Sequence, residues 1–228
     1  MLKPEQLKLG VLISGRGSNL QALIDACVLP EFPAQIALVL SNKPAVQGLE
    51  RAAAAKIPSA VVNHRAYPTR EAFEVELDQQ LRDAGVELIC LAGFMRVLTS
   101  WFVERWRDRM INIHPSLLPS FPGIDTHERA LVAGVRFTGC TVHYVVPDVD
   151  TGPIIVQAAI PVLPGDDADK LAARVLLAEH RAYPFAVRLI AEGRVKIVGN
   201  QTVIAGHTAE TGFTLNPDDG LARRAASA

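Results

Sequence analysis

The sequence has little of what marks a membrane, nucleic-acid-binding or secreted protein. Its 23 Lys and Arg nearly balance 24 Asp and Glu, leaving a formal net charge of -1. No long-range field of one sign therefore draws the chain to nucleic acid or to an anionic membrane. No apolar run reaches the roughly 18 residues that a membrane span requires. The three cysteines, Cys27, Cys90 and Cys140, are odd in number and widely spaced. They read as reduced thiols rather than a disulfide framework, with Cys90 and Cys140 buried in apolar runs. A first strand is expected within about ten residues of Met1, with no charged-then-apolar leader ahead of it, which points to a cytoplasmic protein. The six histidines show no ligand spacing of the H-E-x-x-H type, so no metal is predicted. There is no internal repeat and no linker rich enough to divide the chain.

What is present is an ordinary globular composition. With 228 residues, 49% hydrophobic and 21% charged, the chain can bury one sizeable core. Its first half alternates short apolar runs with amphipathic ones. Strands are expected at 9–14, 35–40, 59–62, 86–92 and 110–113. Helices are expected at 19–27, behind a Ser18-Asn19 capping pair, at 46–56 and at 69–84. That rhythm predicts right-handed βαβ units and a parallel sheet. The second half reads as a short helix at 125–133 and two β-rich runs at 138–146 and 153–162. A long helix at 167–192, kinked at Pro184, and a hairpin at 195–204 around Gly199-Asn200 follow. From about Thr214 the chain is expected to fray. The fold class is α/β: a Rossmann-like, mostly parallel twisted sheet flanked by helices, with an antiparallel addition in the C-terminal half.

The chemistry centres on Ile111-Asn112-Ile113-His114-Pro115-Ser116-Leu117-Leu118-Pro119. Residues i and i+2 of a strand share a face, so Asn112 and His114 project together while Ile111 and Ile113 point into the core. Pro115 ends the ladder. An amide and an imidazole at the carboxyl end of a strand are placed as an α/β active site requires. Asp148-Val149-Asp150-Thr151-Gly152-Pro153 reads as an acidic turn, or as the source of a carboxylate that orients His114. The residues alone leave Asp148 and Asp150 as alternatives. His64, His127, His143, His180 and His207 read as structural, although His127 and His143 could line a pocket.

Ser14-Gly15-Arg16-Gly17-Ser18-Asn19 lies between the first strand and the first helix. Glycines there let backbone N–H groups turn toward an anion at a helix amino terminus. The dinucleotide fingerprint fails, because Leu20 stands at its last glycine position and Ser41-Asn42-Lys43 offers no acid to a ribose. The ATP-type loop fails for want of Gly-Lys-Ser/Thr. A single phosphate monoester fits, met by backbone amides, Ser18 and Arg16.

Taken together these pieces resemble the phosphoribosylglycinamide formyltransferase family, folate-dependent enzymes of purine synthesis. The resemblance rests on Ile13 to Gln21, Leu91-Ala92-Gly93-Phe94-Met95-Arg96-Val97-Leu98, Asn112 to Pro119, Val142-His143-Tyr144-Val145 and Asp150-Thr151-Gly152-Pro153, in the family's order. It implies transfer of the formyl group of 10-formyltetrahydrofolate to the amine of glycinamide ribonucleotide. It also implies that Asn112 and His114 meet the developing oxyanion, and it selects Asp150 as the third catalytic residue. Gly17, Ser18 and Asn19 are carried over as the ribonucleotide's phosphate loop, and Glu179 as the acid receiving its glycinamide end. Arg70, Met95, Arg96, Val97, Leu98 and Asn112, with Val146, Pro147, Asp148, Val149 and Asp150, are carried over to the folate.

The chain then divides into a formyltransferase domain at 1–207 and a polar tail at 208–228. Its phosphate-binding half covers about 1–107 and its folate-binding half about 108–207. Small-molecule substrates, no nucleic acid, no membrane and a monomer or homodimer are expected. Arg16, Asp125 and Thr151 depart from what is common in relatives. A tRNA formyltransferase would need an RNA-binding domain, a deformylase an amino-terminal regulatory domain, and a sugar-nucleotide formyltransferase usually lacks the glycine loop. A non-catalytic phosphate- or folate-binding module would not need Asn112, His114 and Asp150 together.

Overall fold

The computed structural model describes residues 6–206 and 214–217. Seven strands form one sheet in the order β3-β2-β1-β4-β5-β6-β7. They are β1 (Leu7–Ile13), β2 (Ala34–Ser41), β3 (Ser59–Val61), β4 (Leu88–Leu91), β5 (Met110–His114), β6 (Phe137–Tyr144) and β7 (Ile154–Pro161). The pairings among β1 to β5 are parallel, and β6 and β7 join antiparallel. The expected sheet and its antiparallel addition are both present.

The helices are α1 (Ser18–Cys27), α2 (Gln47–Ala54), α3 (Arg70–Asp83), α4 (Ser100–Arg105), α5 (Thr126–Val132) and α6 (Ala168–Ala191). Alternate residues of β1 serve the two faces of the sheet. Val11 and Ile13 pack with Leu20, Leu23 and Tyr183 of α1 and α6. Leu12 packs with Phe73, Leu77, Phe102 and Trp106 of α3 and α4. The central strand β4 is apolar and buried throughout, whereas β7 at the sheet's edge alternates inward and outward residues. On α6, the buried Tyr183 hydroxyl lies 3.0 Å from the Leu91 carbonyl and 3.2 Å from that of Ile111, tying the helix to β4 and β5. No helix among the described residues is long and apolar enough to cross a membrane.

Two expectations need correction. Helix α4 was not anticipated, because its six residues are too few to display a helical period. Its signal was Thr99, whose hydroxyl accepts from the Phe102 N–H. Ser18 and Asn19 are not a capping pair. They lie inside α1, and the cap position is Gly17, with no side-chain bond to the first turn. The long helix expected at 167–192 is α6, with Pro184 inside its 24 residues. The hairpin expected at 195–204 is present as β8 (Val195–Val198) and β9 (Gln201–Ile204), a two-stranded sheet separate from the main one. Where fraying was expected, the Asn216 side-chain amide donates to the carbonyls of Arg136 and Val162, the latter at 3.0 Å. The rest of the tail, and His207, lie outside the described residues.

Gly139 faces Ala159 across the β6–β7 ladder, and a Cβ there would sit 1.8 Å from the Ala158 carbonyl oxygen. The paired backbone of this ladder cannot yield cheaply. Gly139→Ala is expected to destabilise the protein by about 1–3 kcal/mol or more. Chemical denaturation checks this, and an unchanged midpoint would contradict it.

Candidate active site

The site begins where β5 ends. Asn112 pairs with Leu91 of β4 on one side and with His143 of β6 on the other. Ile111 and Ile113 are buried, and His114 is 4% exposed. Pro115 then takes the chain out of the sheet, with the Ser116 N–H turned back 2.9 Å to the His114 carbonyl. Asn112 and His114 therefore share one face, as the i, i+2 spacing predicted. His143, read from sequence as structural, is the residue that tertiary pairing adds to them.

Four polar side chains converge. His114 Nδ1 lies 3.4 Å from Asp150 Oδ2, and His143 Nε2 lies 3.8 Å from Asp150 Oδ1. Asn112 Nδ2 lies 3.4 Å from His143 Nε2. Asp150 itself has a left-handed φ of 57° and accepts from the Gly123 N–H at 2.8 Å. Of the two aspartates left open by the residue pattern, Asp150 is the one that faces His114.

Backbone carbonyls decide what each imidazole can do. His114 Nε2 lies 2.9 Å from the Phe121 carbonyl oxygen, which only accepts, so Nε2 carries a proton. Nδ1 is then the nitrogen free to gain or lose one, and it faces Asp150. In His143 the order is reversed: Nδ1 donates to the Tyr144 carbonyl at 2.8 Å, leaving the Nε2 lone pair toward Asn112. Burial pushes the His143 pKa below the usual 6.5, and the nearby His114 adds to this. The Tyr144 bond and Asp150 act in the opposite direction without cancelling it. A neutral His143 can accept one N–H of Asn112 Nδ2, which leaves the other N–H of that amide for a ligand.

These groups line one wall of a cleft of about 690 Å³. Met95, Arg96, Val97, Leu98, Val146, Pro147, Val149 and Asp150, expected from the sequence, line it too. His127 and Ile124 also reach it. Burial lowers the His127 pKa, with His114 contributing, against an opposing effect of Glu128. Met95, Val97, Ile124 and Val149 are exposed apolar side chains at this cleft. Concentrated apolar exposure of this kind marks a ligand surface. Arg70 and Asp148 are not on its wall: Arg70 is exposed at the start of α3, and Asp148 is exposed with its carbonyl bonded by the Thr151 hydroxyl at 3.0 Å. Among the described residues no group of three His, Cys, Asp or Glu side chains could hold a metal ion.

Gly17, Ser18, Asn19 and Glu179 form a second cluster beside this cleft rather than in its wall. Gly17 has a φ of 69°, and a Cβ there would lie 2.7 Å from Gly48 Cα, so the loop rests on the start of α2. The Gly48 N–H donates to the Gly15 carbonyl at 3.1 Å, and Arg51 Nε donates to that of Arg16 at 2.9 Å. With no side-chain cap, the first N–H groups of α1 remain available to an anion. Asn19 Nδ2 donates to Glu179 Oε2 at 2.7 Å. Ser14 connects the two clusters: its hydroxyl accepts the Met95 N–H at 2.8 Å and donates to Asn42 Oδ1 at 2.6 Å.

Residues 7–187 match the formyl transferase family. The chain belongs to that family. The trifunctional purine biosynthetic protein adenosine-3 of Drosophila pseudoobscura pseudoobscura is 56% identical over 200 residues, which are 87% of this chain and 15% of that protein. This chain thus spans only a minor part of its trifunctional relatives. The phosphoribosylglycinamide formyltransferase of Escherichia coli (strain K12) is 43% identical, with 86% of this chain and 92% of that protein covered. A crystal structure of glycinamide ribonucleotide transformylase 1 from Symbiobacterium toebii superposes with a TM-score of 0.86 at 46% identity, covering 89% of this chain and 95% of that one. The formyltransferase fold read from the sequence is the fold observed.

Two predictions follow from burial. Burial raises the Glu179 pKa, and the Asn19 bond only partly offsets this. A carboxyl whose folded pKa is raised favours folding at low pH, and that contribution is lost as pH rises through the folded value. Glu179→Gln should therefore raise Tm at pH 8 by about 2–4 °C, the shift that about 1 kcal/mol produces at this chain length. At pH 4 the gain should vanish, and an equal gain at both pH values would refute the burial argument. His143 has the opposite sign: its lowered pKa favours folding above 6.5, and this is lost as pH falls through the lower folded value. Ring 15N NMR should find His143 neutral at pH 7 with the proton on Nδ1. An imidazolium at that pH would overturn the assignment.

Proposed function

We propose that this chain transfers the formyl group of 10-formyltetrahydrofolate to the primary amine of N1-(5-phospho-D-ribosyl)glycinamide, a step of de novo purine synthesis. The observation that carries this reading is the convergence of Asn112, His114 and Asp150 between two different binding surfaces. One is the apolar cleft, suited to a flat ligand. The other is the glycine loop, suited to a phosphate. A formyl carbon held from the cleft and an amine tethered through its phosphate would meet at the end of β5. The membership in the formyl transferase family and the named relatives support the same reaction.

Attack of an amine on a formyl carbon builds negative charge on the formyl oxygen. Asn112 meets that charge with the N–H that His143 leaves free. Fixed donors of this kind contribute roughly 10²–10³-fold each. His114 Nδ1 donates a proton toward the departing folate nitrogen, with Asp150 steadying the imidazolium that does so. Asp150 also lies where it can take up the proton shed by the amine. Glu179, held by Asn19, receives the glycinamide end of the ribonucleotide, while Gly17 and Ser18 present N–H groups to its phosphate. Met95 to Leu98 and Val146 to Val149 grip the folate. Arg70 and Asp148, outside the cleft wall, are assigned to the solvent-facing part of that ligand. No Ser or Cys nucleophile is needed. The chain acts on small molecules in the cytoplasm, as a monomer or homodimer.

Purified protein given both substrates should release tetrahydrofolate only when the ribonucleotide is present. Folate release indifferent to the ribonucleotide would instead identify a deformylase. His114→Ala should lower kcat by about 10²–10³-fold while leaving ribonucleotide affinity nearly intact. A variant with near-normal turnover would remove His114 from the mechanism.

A further inference from the structure

We infer that Arg129 is a positioning residue for the His114–Asp150 pair. It acts through the loop that joins β5 to α5. That loop supplies a backbone partner to each member of the pair: the Phe121 carbonyl to His114 Nε2 at 2.9 Å, and the Gly123 N–H to Asp150 Oδ2 at 2.8 Å. The first bond decides which nitrogen of His114 is free. The second fixes the carboxylate against it.

The loop does not hold this shape by local preference. Phe121, Gly123 and Asp125 have φ values of 55°, 82° and 55°, so alternate residues are left-handed and two of them are not glycine. Such conformations persist only when their surroundings impose them. Arg129, on α5, imposes this one. Its Nη1 donates to the carbonyls of both Pro122 and Ile124, the latter at 3.2 Å. Its guanidinium carbon sits 5.7 Å from the centroid of the Phe121 ring. One guanidinium nitrogen thus bridges the carbonyls on either side of Gly123, while the group stands over the Phe121 ring. Ser116 adds bonds from its hydroxyl to the carbonyls of Ser120 at 2.6 Å and Phe121 at 3.2 Å.

Arg129 neither lines the cleft nor forms an ion pair among the described residues. It is exposed on the surface of a short helix. A surface arginine whose two hydrogen bonds among the described residues both go to one strained backbone segment is placed to hold that segment. An ordinary solvated side chain would not be so committed. The effect on catalysis rests on the proposed reaction. The effect on the His114 ring does not.

Two readouts on Arg129→Ala separate those claims. Ring 15N NMR of the unliganded protein should show His114 losing its fixed Nε2–H form and averaging between tautomers. In steady-state assays kcat should fall roughly 10- to 100-fold, the cost of misplacing a catalytic group by about an ångström, with the ribonucleotide KM nearly unchanged. Arg129→Lys, which keeps a cationic donor but loses the planar guanidinium at the Phe121 ring, should recover part of the loss. Val132→Ala, at a position 89% exposed on the same helix, should leave both readouts at wild-type values. An unchanged His114 spectrum in Arg129→Ala overturns the inference, as does a proportional loss of ribonucleotide affinity. A changed spectrum in a protein that transfers no formyl group supports the clamp and overturns only the reaction assigned to the site.

Discussion

The site depends on one constraint, the antiparallel pairing of β6 against β5 at the side of an otherwise parallel sheet. A parallel strand there would run in the same direction as β5 and would not bring its chain back along Asn112. The reversal sets His143 directly opposite Asn112 and leads, through the turn after β6, to Asp150. Asn112, His114 and His143 thus come from the β5–β6 ladder, and Asp150 from the turn that joins β6 to β7. Their spacing is fixed by backbone hydrogen bonds rather than by side-chain packing.

Backbone carbonyls then assign the chemistry. A carbonyl cannot donate, so each histidine must place a proton on the nitrogen facing one. The Phe121 and Tyr144 carbonyls make opposite choices for His114 and His143. One ring is left able to move a proton beside a carboxylate. The other is left as a neutral acceptor that orients an amide. Burial reinforces the second choice by disfavouring the charged form of His143. Two imidazoles within reach of one aspartate therefore do different work, and the difference lies in the main chain around them.

The anion cradle follows a separate logic that meets the first at Ser14. Gly17 is required twice, for its left-handed turn and for its close approach to Gly48. The first turn of α1 is left without a side-chain cap as a consequence. A capping pair at Ser18 and Asn19 would have satisfied those N–H groups internally. Asn19 is instead turned to Glu179 on α6, a residue 160 positions away in sequence. The Met95 N–H bonded to Ser14 then ties the glycine loop to the cleft, so the two proposed substrate surfaces are joined by a direct hydrogen bond.

The sequence by itself determined the strand and helix rhythm, the parallel sheet with its antiparallel addition, the shared face of Asn112 and His114 and the position of the glycine loop. Each of these is local: apolar period, i, i+2 geometry, or glycine and proline at a turn. Helix α4 escaped because six residues carry no period, and the cap of α1 because serine and asparagine suit both a cap and a first turn. The choice of Asp150 over Asp148 came with the family resemblance rather than from the residue pattern; only the tertiary structure decided that His143 belongs to the site, that Arg70 and Asp148 stand off the cleft wall, and which nitrogen of each histidine carries its proton. Those facts depend on strand register and on carbonyls brought in from other segments, and neither is written in the neighbours of the residue concerned.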